Sequence, residues 1–461
     1  KLMMKNKGMF ILIFIIFLLL TFGTFYLFYV VSLLNNIENN IRFLLNIILL
    51  FLWFMMFNMS INVLKKNKKK KYLLLLIFMF IYSIILVVAS ITAHNIYGKI
   101  AKISTSTTTY SSSIVTLNTN DVSNIKDIPS NEKIGILDDE NSIDGYTVPN
   151  EIIKKEKLKN EIVKYNDYSS LIHDLLDEKI KYVFLPTNYE IKLSSTDSFD
   201  FSKTKIVYSY EKSIKLETNT ETKITEPITV LLMGVDSSTN DIKNASLNGD
   251  ALMLITFNPK TLNSTILSIP RDTYTSISCF AGNRKNKITH AAWYGESCMQ
   301  KTIENLMDIK IDYYVKIDFK GVVNLVDAIG GIEVDVPIKF CEQDSNRNFD
   351  NLICLNKGKQ VLNGEQALAL SRHRKTINDF IRGQNQQLVV KGLMNKLLEI
   401  KDLNTVSSIL DTISNNIETN MTTNQIFSFY DIALKIVDAS KTKDAFNMQR
   451  LYISGYDQYI F

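Results

Sequence analysis

The sequence predicts a mixed α/β protein carried on a membrane anchor, and three observations point there. Three long apolar runs follow one another within the first hundred residues. Beyond them, short β-like runs alternate with stretches whose apolar residues recur every three or four positions. In the last half of the chain, apolar strands are bounded by aspartate and arginine, the pattern of an α/β sheet with a polar site at its edge.

Residues 8–34, 41–64 and 72–93 are each long and apolar enough to span a bilayer. Three such runs in succession argue against buried soluble helices. The first is too long, and too closely followed by others, for a cleavable signal peptide. The loop KKNKKKK (65–71) carries six lysines while NNIENN (35–40) carries none, so the positive-inside rule puts the lysine loop in the cytoplasm. Lys1, Lys5 and Lys7 place the N-terminus on that same side, and three crossings put everything after about residue 95 outside. The chain opens KLMMK, with Met3 and Met4 both candidate starts. The first region is therefore 1–97, a three-helix transmembrane segment.

Residues 98–113, containing STSTTTYSSS, are expected to be a Ser/Thr-rich linker. From 114 to 224 a small extracellular α/β accessory domain is expected. KIGIL (133–137), KYVFLP (181–186) and TKIVYSY (204–210) read as strands and DYSSLIHDLLDEKI (167–180) as an amphipathic helix. Its pattern looks like part of an extracellular solute-binding fold, and a spacer without a ligand fits it as well. Four cysteines on the oxidising side of a membrane form an even set. Cys279–Cys298 and Cys341–Cys354 are the favoured pairs, because each closes a short excursion beside strand-like segments.

The remaining region, 225–461, holds the chemistry. ITVLLMGVD (228–236) is a strand ending at Asp236, NGDALMLITFN (248–258) one beginning just after Asp250, and STILSIPRDT (264–273) one ending in Arg271 and Asp272. Ligands of open α/β sheets collect at the carboxyl ends of strands. Two aspartates brought together repel unless a cation sits between them, and a hard divalent ion with oxygen ligands is the usual solution beside phosphate. Read alone, the same aspartates are ordinary caps and turn residues.

Arginine usage sharpens this. Only eight of the 52 basic residues are arginine, and three of the eight fall within SRHRKTINDFIRGQNQQ (371–387). A guanidinium fork pairs bidentately with phosphate oxygens, which lysine does not. LNGEQALALSRHR (362–374) is expected to be a short helix with Asn363 as N-cap and Arg372 and Arg374 at its end. Asp379 and Arg382 are expected in the following loop, before a second amphipathic helix over 384–400. His290 and His373 are assigned supporting hydrogen bonds. GxSxG, Walker and CxxC motifs are absent, which leaves serine hydrolase, NTPase and zinc-ribbon readings without support.

LLMGVD, GDALMLITFNP, ILSIPRDTY, KITHAAWYG, IDYYVKIDFKGVVNLVDAIGGIEVDVP and LNGEQALALSRHRKTINDFIRGQNQQ occur in this order. Together they resemble the LytR-CpsA-Psr family of membrane-anchored cell-envelope enzymes. The resemblance implies an α/β/α catalytic domain and a metal-dependent phosphotransferase. Such an enzyme moves a glycopolymer from a polyprenyl-pyrophosphate carrier onto peptidoglycan or a related acceptor through a phosphodiester. It implies Asp236 and Asp250 as ligands of Mg²⁺ (or Mn²⁺), and Arg271, Arg372, Arg374 and Arg382 as pyrophosphate-binding and catalytic groups. Lys287 and Gln386 would also touch the phosphates, with Asp379 beside them; it is the candidate base, or equally a carboxylate that only orients Arg374 or Arg382. Two departures stand out: Asn248 where many members carry arginine, and Asn385-Gln386 where they read Arg-Gln. A hydrolase using the same site and a non-enzymatic envelope receptor are the competing readings. Nucleic acid is not expected as a partner, because the topology puts the globular parts outside the cell.

Overall fold

A computed structural model describes residues 7–33, 39–66, 69–104, 107–140, 142–187, 189–190, 199–215, 224–235, 249–280, 284–346, 351–373, 379–400, 403–440, 447–453 and 455–456. The chain forms two compact units, one built on residues up to Lys102 and the other on Ile103–Asn219, Ile224–Met421 and Ile432–Phe461.

The first unit contains three helices long and apolar enough to cross a membrane: α1 (Lys7–Leu33), α2 (Asn39–Lys66) and α3 (Lys69–Ile103). Leu20, Met56 and Met79 are buried among them, and Trp53 Nε1 donates to Thr21 Oγ1 at 3.0 Å. Their outer faces expose Phe43, Phe51 and Leu74, side chains that water does not favour and lipid does. Helix α3 continues ten residues past the expected end of the third span.

The second unit contains two sheets. The smaller has strand order β3-β2-β4-β1-β5, with β1 (Thr107–Leu117), β2 (Ile134–Leu137), β3 (Ile162–Tyr165), β4 (Tyr182–Pro186) and β5 (Thr204–Lys215). Strand β2 runs parallel to β3 and β4, while β1 is antiparallel to β4 and β5. Helices α4 (Val148–Glu156) and α5 (Tyr168–Leu176) cover it, and the side chain of Asp167 caps α5 by accepting from Ser170 N.

The described residues of 98–113 are not a linker: 98–103 end α3, and 107–113 are most of β1, an interior strand of this sheet. Threonine is β-branched and suits a pleated strand, and the buried hydroxyls find partners. Ser112 Oγ donates to the Leu185 carbonyl, and Ser113 Oγ lies 2.8 Å from Thr187 Oγ1 and 2.7 Å from Ser209 Oγ. Composition suggests a solvated tether, but backbone pairing with β4 and β5 and the partners of the Ser112 and Ser113 hydroxyls make it sheet. Nor is the accessory region a separate body, since Trp293 from the later region packs into its core beside Leu171, Ile172 and Tyr168.

The larger sheet has order β16-β11-β6-β7-β8-β17. Its strands are β6 (Ile228–Val235), β7 (Gly249–Phe257), β8 (Asn263–Ile269), β11 (Tyr313–Asp318), β16 (Ile417–Thr419) and β17 (Asn447–Leu451). Two-stranded antiparallel pairs join β9 (Tyr274–Ser276) with β10 (Lys285–Lys287), β12 (Ile332–Val336) with β15 (Gly358–Leu362), and β13 (Phe340–Gln343) with β14 (Leu352–Leu355). Period-two alternation sends Leu231, Met233, Leu252 and Leu254 to one face, against α6 (Glu296–Met307) and the 3₁₀ turn Ile288–Tyr294. The other face meets α7 (Phe319–Ala328), α8 (Gly364–Arg372), α9 (Asp379–Glu399) and α10 (Leu403–Asn416). The arrangement is helix, sheet, helix.

Candidate functional site

Strand directions decide where the charged residues gather. Strands β6, β8, β11 and β17 run one way and β7 runs against them. The carboxyl ends of β6 and β8 therefore share a sheet edge with the amino end of β7. Asp250 is the second residue of β7, one place inside the strand rather than before it, and Arg271 lies two residues past β8. They meet there: Arg271 Nη1 donates to Asp250 Oδ1 in an ion pair.

Two close approaches bring the remaining arginines to this edge. A Cβ on Gly364 would lie 2.2 Å from the Val323 carbonyl oxygen, so only glycine lets α8 start so tightly against α7. Asn363 caps α8 in a reciprocal box with Gln366, and Arg372 sits in its last turn. A Cβ on Gly383 would lie 2.9 Å from Ser268 Cβ, and Ser268 Oγ donates to the Gly383 carbonyl at 3.1 Å. That contact fixes the first turns of α9 against β8. Arg382 is accordingly helical and buried rather than in a loop, because α9 begins at Asp379, five residues before the expected second helix.

Below this edge lies a cavity of about 610 Å³. Its polar end carries Asp250, Arg271, Arg372, Arg382, Gln386 and Glu342. Its apolar walls come from the open face of the sheet (Met253, Ile255, Val315, Ile317) and from α7 and α9 (Val322, Leu325, Val390, Leu393, Leu397). Arg372 Nη1 donates to the Asp344 carbonyl at 3.1 Å, and its guanidinium lies 5.5 Å from the Phe319 ring centroid. Gln386 Nε2 donates to the Ser371 carbonyl at 3.3 Å.

Lys287 stands just outside this ring. Its Nζ is 2.9 Å from Asp272 Oδ1, and Asp272 in turn lies 4.0 Å from Arg271 Nε. Burial alone would raise the Asp272 carboxyl. The hydrogen bond and charge of Lys287, with the charges of Arg271 and Arg382, outweigh it and hold the group below its usual range. His290 is buried against Trp293, ring centroids 4.0 Å apart, with Nδ1 3.0 Å from Asn286 Oδ1. Burial first, then the Lys287 charge, lowers its pKa to about 4. His373 is buried on Phe340 with Nδ1 3.3 Å from Glu342 Oε2.

Of the residues singled out in the sequence, the structure brings Asp250, Arg271, Arg372, Arg382 and Gln386 to one cavity, with Lys287 tied in through Asp272. Asp236, Asn248 and Arg374 lie outside the described residues, as does the side chain of Asp379. The disulfides Cys279–Cys298 and Cys341–Cys354 are both formed. Sequence reasoning missed Glu342 and Gln343. The available signal was a charged residue at an inward position of a short strand, next to Cys341, whose partner Cys354 lies directly across the hairpin. Among the described residues no three His, Cys, Asp or Glu side chains converge as a metal site would need. Among the described lining residues Asp250 and Glu342 are the carboxylate donors, and Asp250 is already paired with Arg271.

The family model for LytR_cpsA_psr matches residues 193–461. The chain belongs to the LytR_cpsA_psr family. The match begins at 193, ahead of β5, so it takes in the last strand of the smaller sheet. Among relatives, the polyisoprenyl-teichoic acid–peptidoglycan teichoic acid transferase TagU of Bacillus licheniformis is 36% identical over 214 residues, 46% of this chain and 65% of that protein. TagU of Bacillus subtilis is 35% identical over 217 residues, 46% of this chain and 66% of that protein. The chain thus spans just under two thirds of the length of these relatives. The crystal structure of B. subtilis TagV is similar with a TM-score of 0.44 and 31% identity, covering 52% of this chain and 88% of that one.

Proposed function

We propose that this family member is an extracytoplasmic phosphotransferase that moves a glycopolymer from a polyprenyl-pyrophosphate carrier onto peptidoglycan or a related wall acceptor. The observation that carries this reading is the cavity's two-part character: an apolar barrel ending in Arg271, Arg372 and Arg382. An isoprenoid tail joined to a pyrophosphate is an amphiphile of that form. The TagU relatives are named for the same transfer between teichoic acid and peptidoglycan.

In the reaction, an acceptor hydroxyl attacks the phosphorus that bears the glycan. The bond from that phosphorus to the bridging oxygen breaks, and polyprenyl monophosphate leaves with the electron pair. The acceptor's proton passes to a base, for which Asp379 is the candidate. Charge accumulates on the phosphoryl and bridging oxygens, where the guanidinium forks of Arg271, Arg372 and Arg382, with Arg374, hold it by paired hydrogen bonds. Lys287 orients Asp272 and through it Arg271, and Gln386 supplies a neutral donor beside the phosphates. Mg²⁺ or Mn²⁺, were it held by Asp236 and Asp250, would neutralise pyrophosphate charge.

The lysine-rich loop supports a cytoplasmic N-terminus with both sheets outside, and two disulfides suit that oxidising side. To test the function, the full chain in detergent is incubated with Mg²⁺, a labelled polyprenyl-pyrophosphate oligosaccharide and a peptidoglycan oligomer, with Asp250→Ala as control. Mass spectrometry should find sugar joined to the oligomer through a phosphodiester, absent in the control. Release of sugar phosphate to water would replace the transferase by a hydrolase, and tight binding without turnover by a receptor.

A further inference from the structure

A second cavity, of about 370 Å³, opens between the start of α5 and the segment running from Phe280 to Tyr294. Aromatic rings build its floor. Tyr168 and Tyr294 stack with centroids 5.7 Å apart, and Phe280 meets Tyr294 edge-on at 5.2 Å. Trp293 and Phe199 complete that wall. Polar groups form the rim: Asp167, Ser169 and Ser170 on one side, Arg284, Lys285 and Asn286 on the other. Arg284 Nη1 donates to Asp167 Oδ2 at 3.0 Å, and the guanidinium lies 6.0 Å from the Phe280 ring. Burial would raise the Asp167 carboxyl, but hydrogen bonds from Ser170 and Arg284 outweigh it, so this acceptor stays ionised at neutral pH.

Half-buried rings at Phe199, Phe280 and Tyr294, backed by the buried Tyr168 and Trp293, beside planar hydrogen-bonding groups suit one kind of ligand above others. A sugar ring offers an apolar C–H face to an aromatic floor and equatorial hydroxyl or acetamido groups to a polar rim. The volume sits at the low end of the range of roughly 300–1,000 Å³ for small-molecule sites, room for one or two pyranose rings. Asp167, Arg284 and Lys285 together leave one positive charge on the rim, which favours a carboxylate substituent.

The pocket is tied to the arginine cavity through neighbouring residues, although the two share no lining residue. Asn286 lines it and contacts His290, while the next residue, Lys287, binds Asp272 beside Arg271. Consecutive residues, Asn286 and Lys287, thus touch the pocket and the Asp272–Arg271 pair in turn. We propose that this pocket is a carbohydrate subsite that holds an N-acetylated, carboxylate-bearing sugar of the acceptor strand and presents its neighbouring hydroxyl to the phosphates. Its assignment to the acceptor rests on the transferase reading; its assignment to a glycan does not.

The test uses the full chain in detergent and a soluble N-acetylglucosaminyl-N-acetylmuramic acid disaccharide, whose lactyl carboxylate is free, as probe. Binding is followed by calorimetry and by saturation-transfer NMR, and the acceptor and donor KM values by the transfer assay. Phe280→Leu removes a ring, and Ser170→Trp adds one at an exposed rim position, losing the hydroxyl's hydrogen bond to Asp167 but keeping the backbone one. Each variant should weaken probe binding at least tenfold and raise the acceptor KM to match, with the donor KM the internal comparison. Unchanged binding in Ser170→Trp, or no binding by the parent chain at millimolar probe, overturns the site. Equal binding of a neutral chito-oligosaccharide overturns the carboxylate preference, and competition by donor glycan alone overturns the acceptor assignment. If the probe binds but no phosphodiester forms, the transferase reading falls while the glycan site stands.

Discussion

On β6 and β7, Leu231, Met233, Leu252 and Leu254 point to one face of the larger sheet and pack against Met299 and Ile303. Leu232, Ala251 and Met253, from the same strands, point to the other face and line a cavity of about 610 Å³. The alternation is equally apolar on both faces, yet one is filled and the other left open. What differs is size at the edge. Gly234 and Ala251 face each other in register, and a Cβ on Gly234 would come within 2.9 Å of Ala251 Cβ. Small residues there leave room next to the arginines, where bulky ones would close the face as core.

That comparison is open to a direct break. Met299 is fully buried on the filled face, so Met299→Ala should cost about 2–5 kcal/mol through lost transfer energy and a new cavity. Chemical denaturation of the solubilised chain measures it. A loss no larger than that of a cavity-lining residue would mean the two faces are packed alike.

The filled side also walls in a titratable group. His290 has its folded pKa lowered to about 4 from 6.5. Between those values the unfolded chain takes up a proton that the folded chain does not. Stability from this site is therefore full above about 6.5 and lost as pH falls towards 4, by up to about 3 kcal/mol. His290→Phe should flatten the stability profile across that window. A slope that survives the substitution would assign the effect to other groups. Asp272, lowered instead of raised, loses its contribution only further down, below its unfolded value of 3.8.

Much of the fold was legible because its signals are local. The capping box at Asn363 and Gln366, the apolar runs of α1 to α3 and the strand alternation are all set by neighbours in sequence. The arginine cluster was legible because arginine is scarce in this chain. Other features depend on distant partners. The hydroxyls of β1 read as a tether until Leu185, Thr187 and Ser209 supply their hydrogen bonds. The lipid-sized space was invisible for a related reason: Val322, Leu325 and Val390 have the composition of core, and only the approach of α7 and α9 decides that they line a void. Glu342 was missed because its role depends on His373, 31 residues away.

At the polar end of the open face, Arg372→Lys keeps the charge and loses the fork. Turnover should drop about 10- to 100-fold while the melting midpoint moves little, since Arg372 holds the Asp344 carbonyl and the Phe319 ring on a surface facing the cavity. Normal kcat in this variant would remove the clamp and leave the arginines as a solvated rim.

The smallest effect is the most discriminating. Leu393 lies on α9 with its side chain half-buried against the cavity, so Leu393→Ala enlarges an existing space instead of making a new one. Little packing is lost, and the stability cost should stay near 1 kcal/mol, the low end for a large-to-small change. The removed methyl groups would nevertheless contact an isoprenoid tail, and at about 0.8 kcal/mol per buried methylene the donor KM should rise several-fold. A short-chain carrier that does not reach Leu393 should show no such rise, so the ratio of the two donors isolates tail contact from any general damage. If both donors suffer alike, or if the stability loss matches that of Met299→Ala, the open face is ordinary core and the cavity has no tail to hold.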